Sequence, residues 1–438
     1  MKLQAVQLEN FRSFEELHME FHPELTVLVG ANGSGKSAIL DAVSLALGAY
    51  LSGFSGMPSN DFVLSDVRLA GEKRDGKYPE QWPIRVSAQA EILGHMLAWT
   101  RSVPAKGSRA PAAETRSIAQ YAAALQEHLR QNAEITLPLV AYYGARRSWL
   151  AERESAPAQK GAARGRQSGY LDCLNPAAND RMVLNWFENM TYSRQQKLQA
   201  SGRGAEEFQE ELAVPGLYAV GRAMEECYKS AFPDTVEAEF HYDVVSRELE
   251  VTVTGADQTR RQMPVRMLSD GVKTMLMLTA DIAYRMAALN PQFGAAVTKQ
   301  TPGIVLIDEV ELHLHPAWQK TILADLRRMF PLVQFIVTTQ SPCVLAGVDA
   351  KSIRLLKDHQ IYRQPFSIYG KSSDAILQTF MATRVRPDEV VEQIQGFYDA
   401  LDARDFTFAE ERLRWLRERL GEQDDDVMRA ASALSLTE

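Results

Sequence analysis

The sequence predicts an α/β fold: a nucleotide-binding head in two lobes around a mixed central sheet, with a helical insert and a helical C-terminal tail. Three observations predict it. The run Gly30-Ala-Asn-Gly-Ser-Gly-Lys-Ser37 is a complete GxxxxGK[ST] phosphate loop, set between the apolar run Leu25–Val29 and the helix-like Ala38–Leu47. A second apolar run, Ile304–Ile307, delivers the carboxylate pair Asp308-Glu309. A third, Phe335–Thr338, leads to Gln340-Ser341-Pro342. Sheets of this class collect such polar residues at the C-terminal ends of their strands.

The other elements follow in order. Leu3–Leu8 reads as a strand, and Phe21–Val29 as one or two more. Residues 51–80 are rich in Gly, Ser, Asp and Pro and read as loop with short helices. Ile84–Leu93 and Leu97–Val103 are strand-like and able to pair, Ala112–Asn132 is helical, and Ile135–Tyr143 is a buried strand. Glu152–Ser168 has almost nothing to bury and reads as a mobile loop. Pro176–Ser230 looks helical, and Val236–Val253 reads as a hairpin turning near Ser246-Arg247. In Gly271–Asn290, the residues Val272, Met275, Leu276, Thr279, Ile282, Ala283 and Met286 keep helical spacing. Pro316–Phe330 reads as one helix, and the chain is helical again beyond Lys371. There, Ala409, Leu413, Leu416 and Leu420 share a face and Gly421 stops the helix. That face either docks on its own domain or offers a platform to a partner protein. The resulting division is an N-terminal lobe (1–150), a basic loop and helical insert (151–235), a C-terminal lobe (236–370) and an acidic helical tail (371–438).

Size and composition set limits. A chain of 438 residues suits two or three domains rather than one core. No stretch approaches the roughly 20 apolar residues of a membrane span, and the N-terminus lacks a signal-peptide apolar core. The three cysteines (Cys173, Cys227, Cys343) are scattered and form no CxxC pair, which points to a reducing cytoplasm and buried structural thiols. Net charge is −8, and the segment from Pro387 to Glu438, with 14 acidic and 6 basic residues, accounts for all of it. Gly144–Tyr170 carries six Arg/Lys against two Glu. These are either faces for different partners or two solvated surfaces.

The chemistry is that of a triphosphate site. Backbone N–H groups from Asn32, Gly33, Ser34, Gly35, Lys36, Ser37 and Ala38 wrap the phosphates, and the following helix points its positive end at them. Lys36 neutralises the β/γ oxygens, and Ser37 holds Mg²⁺. Asp308 supports the Mg²⁺ shell, and Glu309 orients or deprotonates the attacking water. Two histidines, His313 and His315, follow at i, i+2. With no other Cys or His nearby they suit a helix start or a subunit seam better than a metal.

Leu268-Ser269-Asp270-Gly271 opens a helix 39 residues before Asp308. It resembles the LSGGQ signature of ABC-type ATPases. With Asn10-Phe-Arg-Ser-Phe14, the phosphate loop, LIDE and TTQSP, it is similar to the RecF/Rad50/SMC branch of that family, and to its stand-alone OLD-like members. The segments Val140–Arg147, Gly169–Pro176 and Leu312–Pro316 resemble those stand-alone members, which include the PtuA ATPase subunit of Septu anti-phage systems, the member the chain is most like. The resemblance implies ATP with Mg²⁺ as ligands and places Arg12 and Ser13 near the nucleotide. It implies a homodimer, or a larger assembly, in which Ser269 and Gly271 meet the γ-phosphate held by a second subunit. It implies regulation of a partner nuclease of the HNH type acting on DNA, or, alternatively, RecF-like repair or DNA loading without a nuclease. Gln340 stands where the family's switch histidine would be. A glutamine donates hydrogen bonds but relays no proton, so hydrolysis is expected to be slow, or ATP to be structural in a nucleotide-gated assembly. Tyr143–Arg147 takes the place of the family's Q-loop, with Arg146 or Arg147 facing phosphate or DNA. The basic Gly144–Tyr170 segment is the expected DNA contact. No run of heptads interrupts the head, and Asp424–Asp426 reads as a solvated terminus rather than a nuclease centre.

Overall fold

The computed structural model describes every residue except 58–59, 74–76, 132–133, 146–164, 177–179, 202–213, 364–367, 380–385 and 438. The chain forms two compact units, Met1–Gly370 and Lys371–Glu438. The first begins with β1 (Lys2–Phe11), β2 (Phe14–Glu20), β3 (Leu25–Gly30) and α1 (Lys36–Leu51). Then come β4 (Ile84–Ile92), β5 (His95–Val103), α2 (Arg116–Arg130), β6 (Leu139–Tyr143), α3 (Asp180–Ser201) and α4 (Pro215–Ala231). A three-stranded meander follows, β7 (Thr235–Asp243), β8 (Glu248–Gly255) and β9 (Arg260–Pro264), and then α5 (Asp270–Leu289) and β10 (Gly303–Ile307). The unit closes with α6 (Pro316–Gln319), α7 (Ile322–Met329), β11 (Val333–Thr339), β12 (Ile353–Lys357) and β13 (Gln360–Arg363).

The central sheet has the order β13-β12-β3-β11-β10-β6. Five strands run parallel, and β13 turns back antiparallel at one edge. It is therefore mixed. Every residue of β3, β6, β10 and β11 is buried, as expected where helices cover both faces of parallel strands. Strands from residues 1–150 and 236–370 interleave in it. A second sheet, β2-β1-β4-β5, is antiparallel throughout.

Several elements differ from the sequence expectation. The first partner of β1 is Phe14–Glu20, before the expected window, because Phe14, Leu17 and Met19 turn inward while the adjacent pair Glu15-Glu16 hides the alternation. The β12–β13 hairpin was not expected. Its buried Arg354 breaks the apolar run, and the carbonyls of Glu20, Lys351 and Ile353 satisfy the guanidinium. The expected helix over Pro316–Phe330 divides at Lys320-Thr321. Side chains of the first piece are tied elsewhere, Trp318 to Ala231 O and Gln319 to Leu314 O and Ser341.

The second unit is built on α8 (Asp388–Asp402), α9 (Phe406–Leu420) and α10 (Asp425–Thr437). Phe397, Ala409, Leu413, Leu416, Val427 and Ala430 form its core. The apolar face of α9 is thus spent inside its own unit, which removes that face as a platform. Gly421 ends α9 at φ 87°, a left-handed conformation that favours glycine. The Asp424–Asp426 segment is not simply solvated. Arg386 grips Asp424 through both carboxylate oxygens at 2.9 Å and Asp426 at 2.8 Å. Among the described residues no cluster of three or more His, Cys, Asp and Glu is arranged to hold a metal ion, and no helix is long and apolar enough to cross a membrane.

Candidate functional site

The phosphate loop joins β3 to α1 at the C-terminal edge of the central sheet. Gly33 and Gly35 have φ of 78° and 104°, so the loop curls where residues with a Cβ are disfavoured. Gly30 must also be glycine, because a Cβ there would stand 2.4 Å from Leu356 O. Lys36 is buried, and its Nζ donates to Gly30 O at 2.8 Å and Ala31 O at 2.9 Å. Burial lowers its pKa below the usual lysine value, against the pull of Asp308, Glu309 and Glu311. The Ser34 hydroxyl is buried with no hydrogen-bond partner among the described residues. An orphaned hydroxyl, an ammonium spending its protons on loop carbonyls and a helix start directed at one point together fit a polyphosphate.

The carboxylates come from the next strand but one. Asp308 is buried at the end of β10, its N–H donating to Tyr143 O at 2.8 Å. Thr338 on β11 donates its hydroxyl proton to Asp308 Oδ1 at 2.6 Å and accepts Glu309 N–H at 2.7 Å. Glu309 has φ 47°, a left-handed conformation held by this bond and by Val310 N–H to Thr338 O at 3.0 Å. Strain retained at a residue fixed from two sides is a mark of functional sites. Gln340 leaves β11 beside this pair and donates its backbone N–H to Glu311 Oε1 at 2.7 Å. The structure therefore gathers the phosphate loop, Asp308, Glu309 and Gln340 on adjacent strand ends. The oxygens of Asp308, Ser37 and their neighbours are the hard donors Mg²⁺ prefers.

Ser13 lies against the loop: a Cβ on Gly35 would stand 3.1 Å from its Oγ. Arg12 is held at 2.5 Å by Asp41 of α1 and at 2.8 Å by Asp66, and Asp41 also accepts from the Tyr142 hydroxyl at 2.7 Å. Sequence reading missed both carboxylates, since nothing near them in the chain marks their partner.

Ser269 opens α5 with extended backbone, yet its hydroxyl makes no capping bond and is exposed. Gly271 is buried, and a Cβ there would stand 2.5 Å from His313 O. The LSDG turn is thus pressed against the loop that follows Glu309. His313 has φ 64°, and His315 caps α6 by accepting Ala317 N–H at 3.3 Å. Deeper in α5, Asp281 accepts from the Tyr143 hydroxyl at 2.6 Å and from Arg285 Nε at 2.7 Å, a buried link between the signature helix and the end of β6.

Arg146 and Arg147 lie outside the described residues, as does most of the basic 144–170 segment. Arg166 is described and is no free cation. It donates to Leu289 O at 2.7 Å and to Ile135 O, and so serves the fold.

Comparison with known proteins finds the following likenesses. A family described as "AAA domain" matches residues 5–212, and one described as "AAA domain, putative AbiEii toxin, Type IV TA system" matches 209–346. "Retron Ec83 probable ATPase" of Escherichia coli is 29% identical over 89% of this chain and 78% of its own length. "Retron Vc95 probable ATPase" of Vibrio cholerae is 23% identical over 91% and 83%. "Septu protein PtuA" of Bacillus mycoides is 39% identical over 21% of this chain and 12% of its own. Among solved structures, an SMC head bound to the C-terminal winged helix of ScpA has a TM-score of 0.47 at 19% identity, covering 83% of this chain and 98% of that one.

The chain is an ATPase of the AAA/ABC class. Within that class it is similar to the retron ATPases over about nine-tenths of its length and to PtuA over a fifth to a third of it.

Proposed function

We propose that this protein is an ATP-driven dimer that controls a partner nuclease acting on DNA in bacterial anti-phage defence. The observation that carries it is the uncapped, exposed Ser269 at a helix start anchored on the loop after Glu309. A helix N-terminus with a free hydroxyl is half of an anion site. In the proposed dimer it completes the site that the phosphate loop begins on the other subunit. The γ-phosphate then bridges the halves, so binding favours closure and hydrolysis releases it.

Within each site, Lys36 and the loop amides hold the phosphates, Arg12 and Ser13 border the loop, and Glu309 takes the proton of the attacking water. Ser37 and Asp308 would hold Mg²⁺, which would supply charge neutralisation at the phosphate oxygens. The four-segment division at 150, 235 and 370 belongs to the same proposal, with the acidic tail as the partner-facing segment. Likeness over about nine-tenths of the chain to retron ATPases, against a fifth to a third of it for PtuA, favours a retron as the setting in the cytoplasm. The partner is a nuclease of the HNH type, and the RecF-like alternative predicts none.

Light scattering tests the dimer. Glu309→Gln should trap a dimer in ATP and Mg²⁺, and a variant that stays monomeric defeats the shared site. Co-purification with the products of neighbouring genes tests the partner: a nuclease supports the defence reading, and its absence favours the RecF-like one.

A further inference from the structure

Glu311 was not singled out in the sequence, yet it stands inside the site. Its field, with those of Asp308 and Glu309, opposes the lowering of the Lys36 pKa. Its Oε1 accepts the backbone N–H of Gln340 at 2.7 Å. Its Oε2 is buried and makes no hydrogen bond among the described residues. The turn that carries it is tightly specified. Leu312 N–H returns to Glu309 O and Leu314 N–H to Glu311 O, both at 2.9 Å, between the left-handed residues Glu309 and His313.

Strands β10 and β11 are therefore laced together at their C-terminal ends in two places. Thr338 holds the Asp308 side chain and the Glu309 backbone N–H. Glu311 holds Gln340, the residue where the strand leaves the sheet. The second lace is charge-assisted, and so stronger than a neutral bond of the same length. A carboxylate whose other oxygen is buried and unmatched is a costly choice for a purely structural tie, because a neutral acceptor would tie Gln340 as well.

We propose that Glu311 is a positioning residue for ATP hydrolysis. It fixes the switch segment at Gln340 in register with Glu309. Its buried Oε2 is the acceptor for a water O–H that enters the closed site with the nucleotide. The proposal rests on the ATPase reading and adds a residue to it. It also accounts for how a glutamine serves as a switch: without an ionisable ring at position 340, the fixed negative charge and the alignment come from position 311.

Two variants separate the roles. Glu311→Ala removes both acceptors. Glu311→Gln keeps an oxygen for Gln340 N–H and replaces the second acceptor with a donor. Turnover of ATP is measured beside the affinity for a fluorescent ATP analogue and the melting temperature. Glu311→Ala should lose about 10- to 100-fold in kcat, the scale of misplacing reacting groups by about an ångström. Glu311→Gln should lose less, about 3- to 10-fold, on the same argument. Both should bind the analogue within about twofold of wild type, since the phosphate loop is untouched.

Wild-type turnover in both variants overturns the proposal. So does a loss of affinity that matches the loss of kcat, which marks a merely structural residue. If Glu311→Ala does not fold, Glu311→Gln decides alone by the same criteria. Wild-type protein without turnover that depends on Lys36 overturns the ATPase reading itself, and this proposal with it.

Discussion

At the scale of single residues, Gln340 brings to the site a side chain that cannot take up a proton near neutral pH. The strand that delivers it is fully buried and ends in a charged hydrogen bond to its backbone, so the side chain is free to vary without loss of position. An imidazole placed there could take up and return a proton near neutral pH, which a carboxamide cannot do. Gln340→His should therefore raise kcat by about 10-fold, at the low end of what acid–base groups supply, with nucleotide affinity unchanged. Steady-state turnover beside equilibrium binding of an ATP analogue reads this directly. A wild-type rate already brisk and indifferent to the change would show that ATP turnover never needed an ionisable switch.

At the scale of elements, what the sequence disclosed depended on how far each signal travels. The phosphate loop and LIDE are contiguous, so their strands and their place at the sheet edge were readable, and β10 and α1 formed where expected. The helix at Ser269 was readable from periodicity, but its anchoring on His313 O was not, because 42 residues separate Gly271 from His313. The same holds for Asp41 and Asp66 around Arg12, and for Tyr143 with Asp281. Charge pairs of this kind leave no local pattern. β12 was hidden by Arg354, a buried cation that a pattern of apolar residues cannot announce.

Two predictions belong here. Gly271→Ala places a methyl 2.5 Å from a backbone carbonyl, so α5 or the His313 loop must shift. Overpacking of this kind costs about 1–3 kcal/mol, which should appear as a loss of about 10-fold or more in ATP-dependent dimerisation while monomer binding of nucleotide persists. In the tail, Leu416 is fully buried in a helical core of its own. Leu416→Ala should destabilise that unit by about 2–5 kcal/mol. Calorimetry should show the loss, and nucleotide binding by the first unit should not change.

At the scale of the whole molecule, the proposed site exists only between two copies, and this has a consequence no single-chain site shares. Lys36→Ala disables the phosphate loop, and Ser269→Arg blocks the helix start. Each variant alone should be inactive, since every site in its homodimer has one bad half. When the two are mixed, half of the dimers pair one copy of each. In such a dimer one site draws its loop from the Ser269→Arg chain and its helix start from the Lys36→Ala chain, and both halves are intact. Turnover should return to about a quarter of the wild-type rate if exchange is free and the sites act independently, because a two-fold dimer of one copy of each has one intact site of its two. Strong coupling between sites lowers that fraction but does not abolish it unless both must be loaded. To exclude that case, nucleotide trapping is measured on the same mixture: about one tightly held nucleotide per mixed dimer is expected in a Glu309→Gln background, and none in either parent. A mixture that neither turns over nor traps nucleotide would place the whole reaction within one chain, and Ser269 outside it.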